Sequence, residues 1–293
     1  MSPFVAPVRE TLSHFRPMID LHTHSTASDG SLSPTALARA GKAAGLEVMA
    51  LTDHDCAKGL DEFLAETERL GMRGVPGIEL SAEVSGGQLH LVGLGFDHRA
   101  PALQTAFQKM LGGREARNQA MLSAFHLHGI DLTMEEVAHY AGDELVSRVH
   151  FAQALIARGL AADLTEAFER YLGKGALCYR DRFRYTPADC ISMIHAAGGV
   201  VIMAHPLSLE REYALLEPRI AALRDAGLDG MECFYSTYDT ETTVALLRIA
   251  KRLDLVPSVG SDFHGAPKPD IFLGKLPVSP AVKEGLCNLI FRK

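Results

Sequence analysis

No Cys-x-x-Cys pair occurs in this 293-residue chain, and its five cysteines (Cys56, Cys178, Cys190, Cys233 and Cys287) are scattered and odd in number. That usage excludes a disulfide framework and predicts reduced thiols in a cytoplasmic setting. No apolar run reaches the length of a membrane span. The first seventeen residues, interrupted by Pro3, Pro7, Arg9, Glu10, Arg16 and Pro17, lack the continuous apolar segment of a secretory signal and read as an N-terminal extension. Positive charge is also short: 29 Lys and Arg against 36 Asp and Glu give a net charge of -7. The deficit excludes a broad electrostatic grip on duplex DNA or an anionic membrane, though not a nucleotide in a pocket lined by a few arginines and metal ions. Fixed-period repeats and low-complexity tracts are absent too. What is present, 47% hydrophobic and 22% charged residues, is the composition of a soluble globular protein able to bury one large barrel-like core or two smaller ones.

The chain opens on Met18-Ile-Asp-Leu-His-Thr-His-Ser25, whose alternation predicts a short buried strand. Residues i and i+2 of a strand share a face, so His22 and His24 project together as half of a metal site. A helix follows from the Ser33-Pro34 cap to Gly45. The strand Leu46–Thr52 then ends in Asp53-His54-Asp55, and a helix over residues 59–70 stops at Gly71. A short strand at 73–75 leads to Pro76-Gly-Ile-Glu79, and the strand Gln88–Gly95 carries His90. This βαβαβ alternation predicts a parallel sheet or barrel with crossover helices. From residue 102 to 184 the pattern turns helical: a long helix over 104–127, broken at Gly112-Gly113, then helices over 133–140, 149–158 and 163–172. No Pro/Gly/Ser-rich linker brackets this stretch, so it reads as an inserted helical subdomain. The βα pattern resumes with a helix capped by Thr186-Pro187 and the strand Val200–Ala204, which ends at His205-Pro206. A helix over 220–225 and the strand Gly230–Phe234 follow, then a helix over 240–254 and the strand 256–259, ending at Ser261-Asp-Phe-His264. The expected organisation is an extension at 1–17, a barrel at 18–101 and 185–293, and a helical insertion at 102–184 that covers the active site.

Histidines and carboxylates recur at the expected strand C-termini: His22, His24, Asp29, His54, Glu79, His90, His205, Asp262 and His264. That is the face on which (β/α) barrels build their sites. Glu79 alone reads as a surface carboxylate, and His90 alone as a satisfied core histidine. Together on one face, such groups repel and lose water unless ions compensate them, so the joint pattern points to a multinuclear metal site.

Four of these segments, Asp20-Leu-His-Thr-His24, Thr52-Asp-His-Asp55, Pro76-Gly-Ile-Glu79 and Ser261-Asp-Phe-His264, with His205-Pro206, resemble the motifs of the PHP (polymerase and histidinol phosphatase) phosphoesterases. The resemblance spans residues 18–95 and 185–290. It implies a distorted (β/α)7 barrel with two or three divalent ions, manganese first and iron or zinc as alternatives. By that resemblance His22, His24, Glu79 and Asp262 hold one ion, Glu79 bridges to a second held by His90 and His205, and Asp29, His54 and His264 hold a third. Asp53 is expected to orient a ligand from behind. The insertion resembles that of the nucleoside 3',5'-bisphosphate phosphatases and related 5'-to-3' exoribonucleases in Arg114-Glu-Ala-Arg117, Ser147-Arg148-Val-His150 and Tyr171-Leu-Gly-Lys174. Arg117, Arg148 and Lys174 are therefore candidates to hold a phosphate.

The implied activity is metal-dependent removal of the 3'-phosphate of nucleoside 3',5'-bisphosphates, with short 5'-phosphorylated RNA as a second substrate class. Glu79, Asp262 and His205 are the catalytic candidates, His205 as proton donor to the leaving 3'-oxygen. The alternatives are a phosphatase of another small monoester such as histidinol phosphate, a metal-dependent amidohydrolase, and a non-catalytic metal-binding module.

Overall fold

The computed structural model describes residues 19–141, 145–276 and 278–291. The N-terminal extension and Met18 lie outside them. Seven strands form one sheet in sequence order: β1 (Ile19–Asp20), β2 (Val48–Leu51), β3 (Arg73–Ala82), β4 (Leu89–Leu94), β5 (Val200–Met203), β6 (Gly230–Tyr235) and β7 (Val256–Gly260). The sheet curls until its ends meet. Leu21 N–H bonds the Val259 carbonyl at 3.1 Å, Asp262 N–H the His22 carbonyl at 2.8 Å and His24 N–H the Phe263 carbonyl at 2.9 Å. The result is a nearly closed seven-stranded barrel wrapped by helices.

The sheet is mixed, not parallel. β4 runs antiparallel to both β3 and β5, while the other neighbours are parallel. A six-residue connection joins β3 directly to β4, too short for the crossover that parallel pairing demands. β3 is also one ten-residue strand and not a short piece: Arg73–Pro76 pair with β2, and Gly77–Ala82 pair with β4. Glu79 therefore lies inside a strand, and His90 lies at the start of one. Because β4 is reversed, its start shares the rim with the C-terminal ends of β1, β2, β5 and β7.

The reversal sends the chain to the opposite rim at Leu94, where Asp97 N–H bonds the Ala197 carbonyl just ahead of β5. The long helix α3 (Pro101–Leu127), following α1 (Pro34–Ala43) and α2 (Leu60–Arg69), climbs back. Its 27 residues span about 40 Å. It is unbroken at Gly112-Gly113; a Cβ on Gly113 would come 2.9 Å from that of Phe183, so this glycine lets the returning chain pack against the helix. Leu103, Phe107 and Met110 of α3 join the barrel core. Met121, Leu122, Ala124 and Phe125 belong to a second core shared with α4 (Met134–Ala141), α5 (Arg148–Ala157) and α6 (Leu164–Ala167), the last extended by a π-helical turn to Leu172. The chain returns through α7 (Pro187–Ala196), α8 (Tyr213–Asp225), α9 (Thr240–Arg252) and α10 (Pro280–Ile290). α8 starts seven residues before the expected 220, with Pro218 inside it. Among the described residues no helix is long and apolar enough to cross a membrane.

Candidate metal centre

β1 stops at Asp20, so His22 and His24 are carried just past it on an extended segment held by the Thr23–Phe263 bridge. Their rings face the same way, with centroids 5.1 Å apart. The segment is anchored from below by Asp20, whose carboxylate accepts from Ser261 N–H at 2.9 Å and His22 N–H at 3.3 Å. Asp53 reaches none of the histidines by hydrogen bond. It accepts instead from Ser25 N–H (2.8 Å), Ser25 Oγ (2.6 Å) and Ser28 Oγ (2.6 Å), folding the loop that delivers Asp29. Four described residues other than glycine have left-handed backbone, and three of them, Asp55 (φ 53°), His205 (φ 25°) and Asp262 (φ 57°), belong to this rim. Strain of that kind persists where surrounding structure over-determines it, commonly at functional sites.

The nine expected ligands converge. Glu79, fully buried, is the centre: its Oε2 lies 3.2 Å from His22 Nε2, 3.2 Å from His24 Nε2 and 3.0 Å from His54 Nδ1. Its Oε1 lies 2.7 Å from His90 Nδ1 and 2.9 Å from His205 Nε2. Asp262 Oδ1 is 3.3 Å from His24 Nε2 and 3.6 Å from His22 Nε2. Asp29 lies 3.4 Å from His264 Nε2 and 3.6 Å from both His54 Nε2 and His24 Nδ1. Three groups have ligand atoms close enough to share an ion: His22, His24, Glu79 and Asp262; His54, Glu79 and His90; and His24, Asp29, His54 and His264. His24, His54 and Glu79 each enter two of them, and the sharing of the two histidines is not revealed by spacing alone. His205 stands outside these groups, beside Glu79.

The donor set fits divalent ions. Among the described residues, His22 Nε2, both nitrogens of His24, His54 Nδ1, His205 Nδ1 and Glu79 Oε2 are buried and make no hydrogen bond. Orphaned buried polar atoms are costly, and here they point at one another as first-row metal ligands would. Burial would depress His24, but the nearby Asp262 and Glu79 carboxylates raise it to about 9. Burial would likewise raise Glu79, but His54, His22 and His90 hold it well below the carboxylate range. Asp262 Oδ2 accepts from Tyr235 Oη at 2.7 Å and Lys268 Nζ at 2.5 Å, leaving Oδ1 to the cluster.

A second charged group lies beside the first. Asp55 turns away from His54 and accepts from Arg114 Nη2 at 2.8 Å and Arg182 Nη2 at 2.7 Å. Burial would raise this carboxyl, but Arg182 and Arg114 bring it down to about 2. Arg117 is 6% exposed and its Nη2 has no partner among the described residues. Burial first, then the charges of Arg114, Arg182, Arg148 and Arg184, lower it to about 9, far below an ordinary guanidinium. Arg148 sits over the Phe168 and Tyr179 rings, 5.7 and 5.6 Å from their centroids, and bonds the Leu172 carbonyl. Lys174 is exposed. Sequence reading passed over Arg182, Glu232, Tyr235 and Lys268. Glu232 did carry a signal, being the lone charge in the apolar run Gly230–Phe234.

Fold and rim together define a phosphoesterase built to hold divalent ions, and known proteins agree. The PHP domain model matches residues 20–179. A 5'-3' exoribonuclease of Haemophilus influenzae is 37% identical over 84% of this chain and 89% of its own. A 3',5'-nucleoside bisphosphate phosphatase of Chromobacterium violaceum is 33% identical over 84% of this chain and 87% of its own. A solved structure from Chromobacterium violaceum, described as an amidohydrolase with bound sulfate and no metal, superposes with a TM-score of 0.80 at 32% identity over 92% of this chain and 96% of that one. The chain belongs to the PHP domain family and is a phosphoric ester hydrolase.

Proposed function

We propose that the chain removes the 3'-phosphate from nucleoside 3',5'-bisphosphates, such as adenosine 3',5'-bisphosphate, using two or three divalent ions, manganese first. The observation that carries this reading is Arg117: a buried guanidinium whose Nη2 has no partner among the described residues, crowded by four other arginines, of which Arg114 and Arg182 share Asp55 and Arg184 pairs with Asp181. Such a surplus calls for an anion, and a phosphate dianion is the anion that guanidinium forks match. The insertion thus lies over the rim and reads the second phosphate while the histidine cluster holds the first.

His22, His24, Glu79 and Asp262 would hold one ion, His90 and His205 with Glu79 another, and Asp29, His54 and His264 a third. When bound, such ions acidify a water and neutralise phosphoryl oxygens. The chain's own residues do the rest. Glu79 fixes the spacing of the site by facing five histidines. Arg117, Arg148 and Lys174 anchor the far phosphate and so align the reacting one for in-line attack. His205 turns Nε2 to Glu79 and is the one expected ligand outside the three ion groups, so where it holds no ion it is the residue placed to carry a proton to the leaving 3'-oxygen.

One relative is named a 5'-3' exoribonuclease and the other a nucleoside bisphosphate phosphatase, so short 5'-phosphorylated RNA is a second substrate class for the same subsite. An amidohydrolase reading is disfavoured because Glu79 already fills the bridging position, where that chemistry uses a modified lysine. The deciding experiment measures phosphate release by the manganese-loaded protein from adenosine 3',5'-bisphosphate, from histidinol phosphate and from a 5'-phosphorylated dinucleotide. Fast release from the bisphosphate, leaving 5'-AMP, supports the proposal; release from histidinol phosphate alone discards the nucleotide assignment and keeps the phosphatase.

A further inference from the structure

Behind the histidine cluster, one buried carboxylate touches two of its members from a strand that supplies no ligand. Glu232, on β6, is 2% exposed. Its Oε1 lies 2.8 Å from His22 Nδ1, and its Oε2 accepts from the backbone N–H of His205 at 2.6 Å. Both oxygens are committed, so Glu232 is no ligand itself. The fold makes room for it in two ways. A bulge follows it on β6, where the pairing jumps from Glu232–Ser258 to Phe234–Val259 and Cys233 is the extra residue; bulges re-aim side chains at functional rims. Gly260 on β7 faces it: a Cβ there would fall 2.2 Å from Glu232 Oε1 and 2.3 Å from His22 Cβ.

We infer that Glu232 is a positioning residue that sets the tautomer of His22 and ties the His22 and His205 ion positions into one unit. A carboxylate can only accept, so His22 Nδ1 must carry the hydrogen and Nε2 is left bare, aimed at Glu79 and Asp262. The second oxygen holds His205 in its left-handed conformation by taking the one N–H that the turn after β5 presents to it. β1 and β5 do not pair with each other, so this single side chain bridges two ligand-bearing segments across the barrel. The inference rests on the metal reading of the cluster.

Glu232→Gln is the sharp test because it keeps the volume and halves the acceptors. With the amide nitrogen toward His22, the ring must give up its Nδ1 hydrogen and carry it on Nε2, where it blocks an ion. With the amide nitrogen toward His205, two donors collide. Either way the site loses.

The experiment is chelator-competed zinc binding to the full chain, with ion stoichiometry, beside histidine ring nitrogen NMR of the zinc-loaded protein. Wild type should show a hydrogen-bonded His22 Nδ1–H and zinc on Nε2. Glu232→Gln should bind zinc about 10- to 100-fold more weakly and shift the His22 Nδ1–H signal away from its carboxylate-bonded position. Zinc affinity within twofold of wild type with that signal unchanged overturns the inference. If Glu232→Gln does not fold, Glu232→Asp, too short to reach both partners, must show the same weakening, and wild-type affinity there overturns the inference equally. A wild type that binds no zinc, manganese or iron would sink the metal reading first and this inference with it, an outcome distinct from equal binding by both proteins.

Discussion

The rim of the barrel and the insertion above it solve opposite electrostatic problems. At the rim, carboxylates and imidazoles face inward with lone pairs that nothing satisfies; the missing partner is a cation. In the insertion, Arg114, Arg117, Arg148, Arg182 and Arg184 crowd together around Asp55 and Asp181; the partner proposed for them is an anion. A metal ion and a phosphate would each complete one region, and a phosphoester completes both at once. The comparison teaches that the two halves are separable in charge yet adjacent in space, joined at His54-Asp55, where one residue faces the rim and the next faces the arginines.

The hardest way to break the comparison is to remove the cation side alone. The double change His22→Ala, His24→Ala should abolish ion binding and lower turnover by more than about a thousandfold, roughly 4 kcal/mol of barrier, with the far-ultraviolet circular dichroism unchanged. Retained turnover would refute the metal centre.

Next comes the joint between the regions. Asp55→Asn leaves Arg114 and Arg182 without their buried counter-charge and should destabilise the metal-free protein by about 3–5 kcal/mol in denaturant melts. The same carboxyl sets an acid limb. Its folded pKa, about 2, lies below the ordinary 3.8, so its contribution is complete above about pH 4 and is lost as pH falls toward 2. Wild type should weaken over that window, and Asp55→Asn should lack that part of the loss. Equal acid limbs would show that the ion pairs do not hold the insertion to the rim.

The anion side is then probed with little disturbance below it. Arg117→Met should raise KM for adenosine 3',5'-bisphosphate about 10- to 100-fold, the worth of a charge-assisted hydrogen bond. It should leave 3'-AMP, which lacks the 5'-phosphate, nearly unaffected. An equal loss on both substrates would move Arg117 from phosphate reader to scaffold. The smallest effect belongs to Lys174→Ala. Lys174 is exposed, so KM for the bisphosphate should change by no more than about threefold; a larger rise would show that the lysine swings onto bound substrate.

The two regions also differ in how far the sequence discloses them. Rim ligands sit in short motifs at strand ends, and periodicity places them because each strand delivers its residues to the same face. His90 shows where that logic slips. It reaches the rim because β4 is reversed, a direction set by the short connection from β3 and invisible to alternation, which has no polarity. Glu232 was passed over for a related reason: its role comes from pairing across the barrel, with His22 at a separation of 210 residues. In the insertion, helical spacing does not say which arginines meet. Arg182, on an irregular return segment, meets Arg114 only through Asp55 of the barrel. Gly112-Gly113 read as a break, whereas Gly113 is the place where that return segment presses on the helix.

That long helix carries a consequence for modularity. α3 is shared between two hydrophobic interiors, its first turns completing the barrel and its last turns founding the other core. Cutting out residues 101–186 to leave a minimal catalytic barrel would therefore also strip Leu103, Phe107 and Met110 from the barrel's own interior. Splicing the segment into another barrel would carry those three side chains to a surface with no socket for them. The segment is an insertion by chain order, but not a detachable cassette.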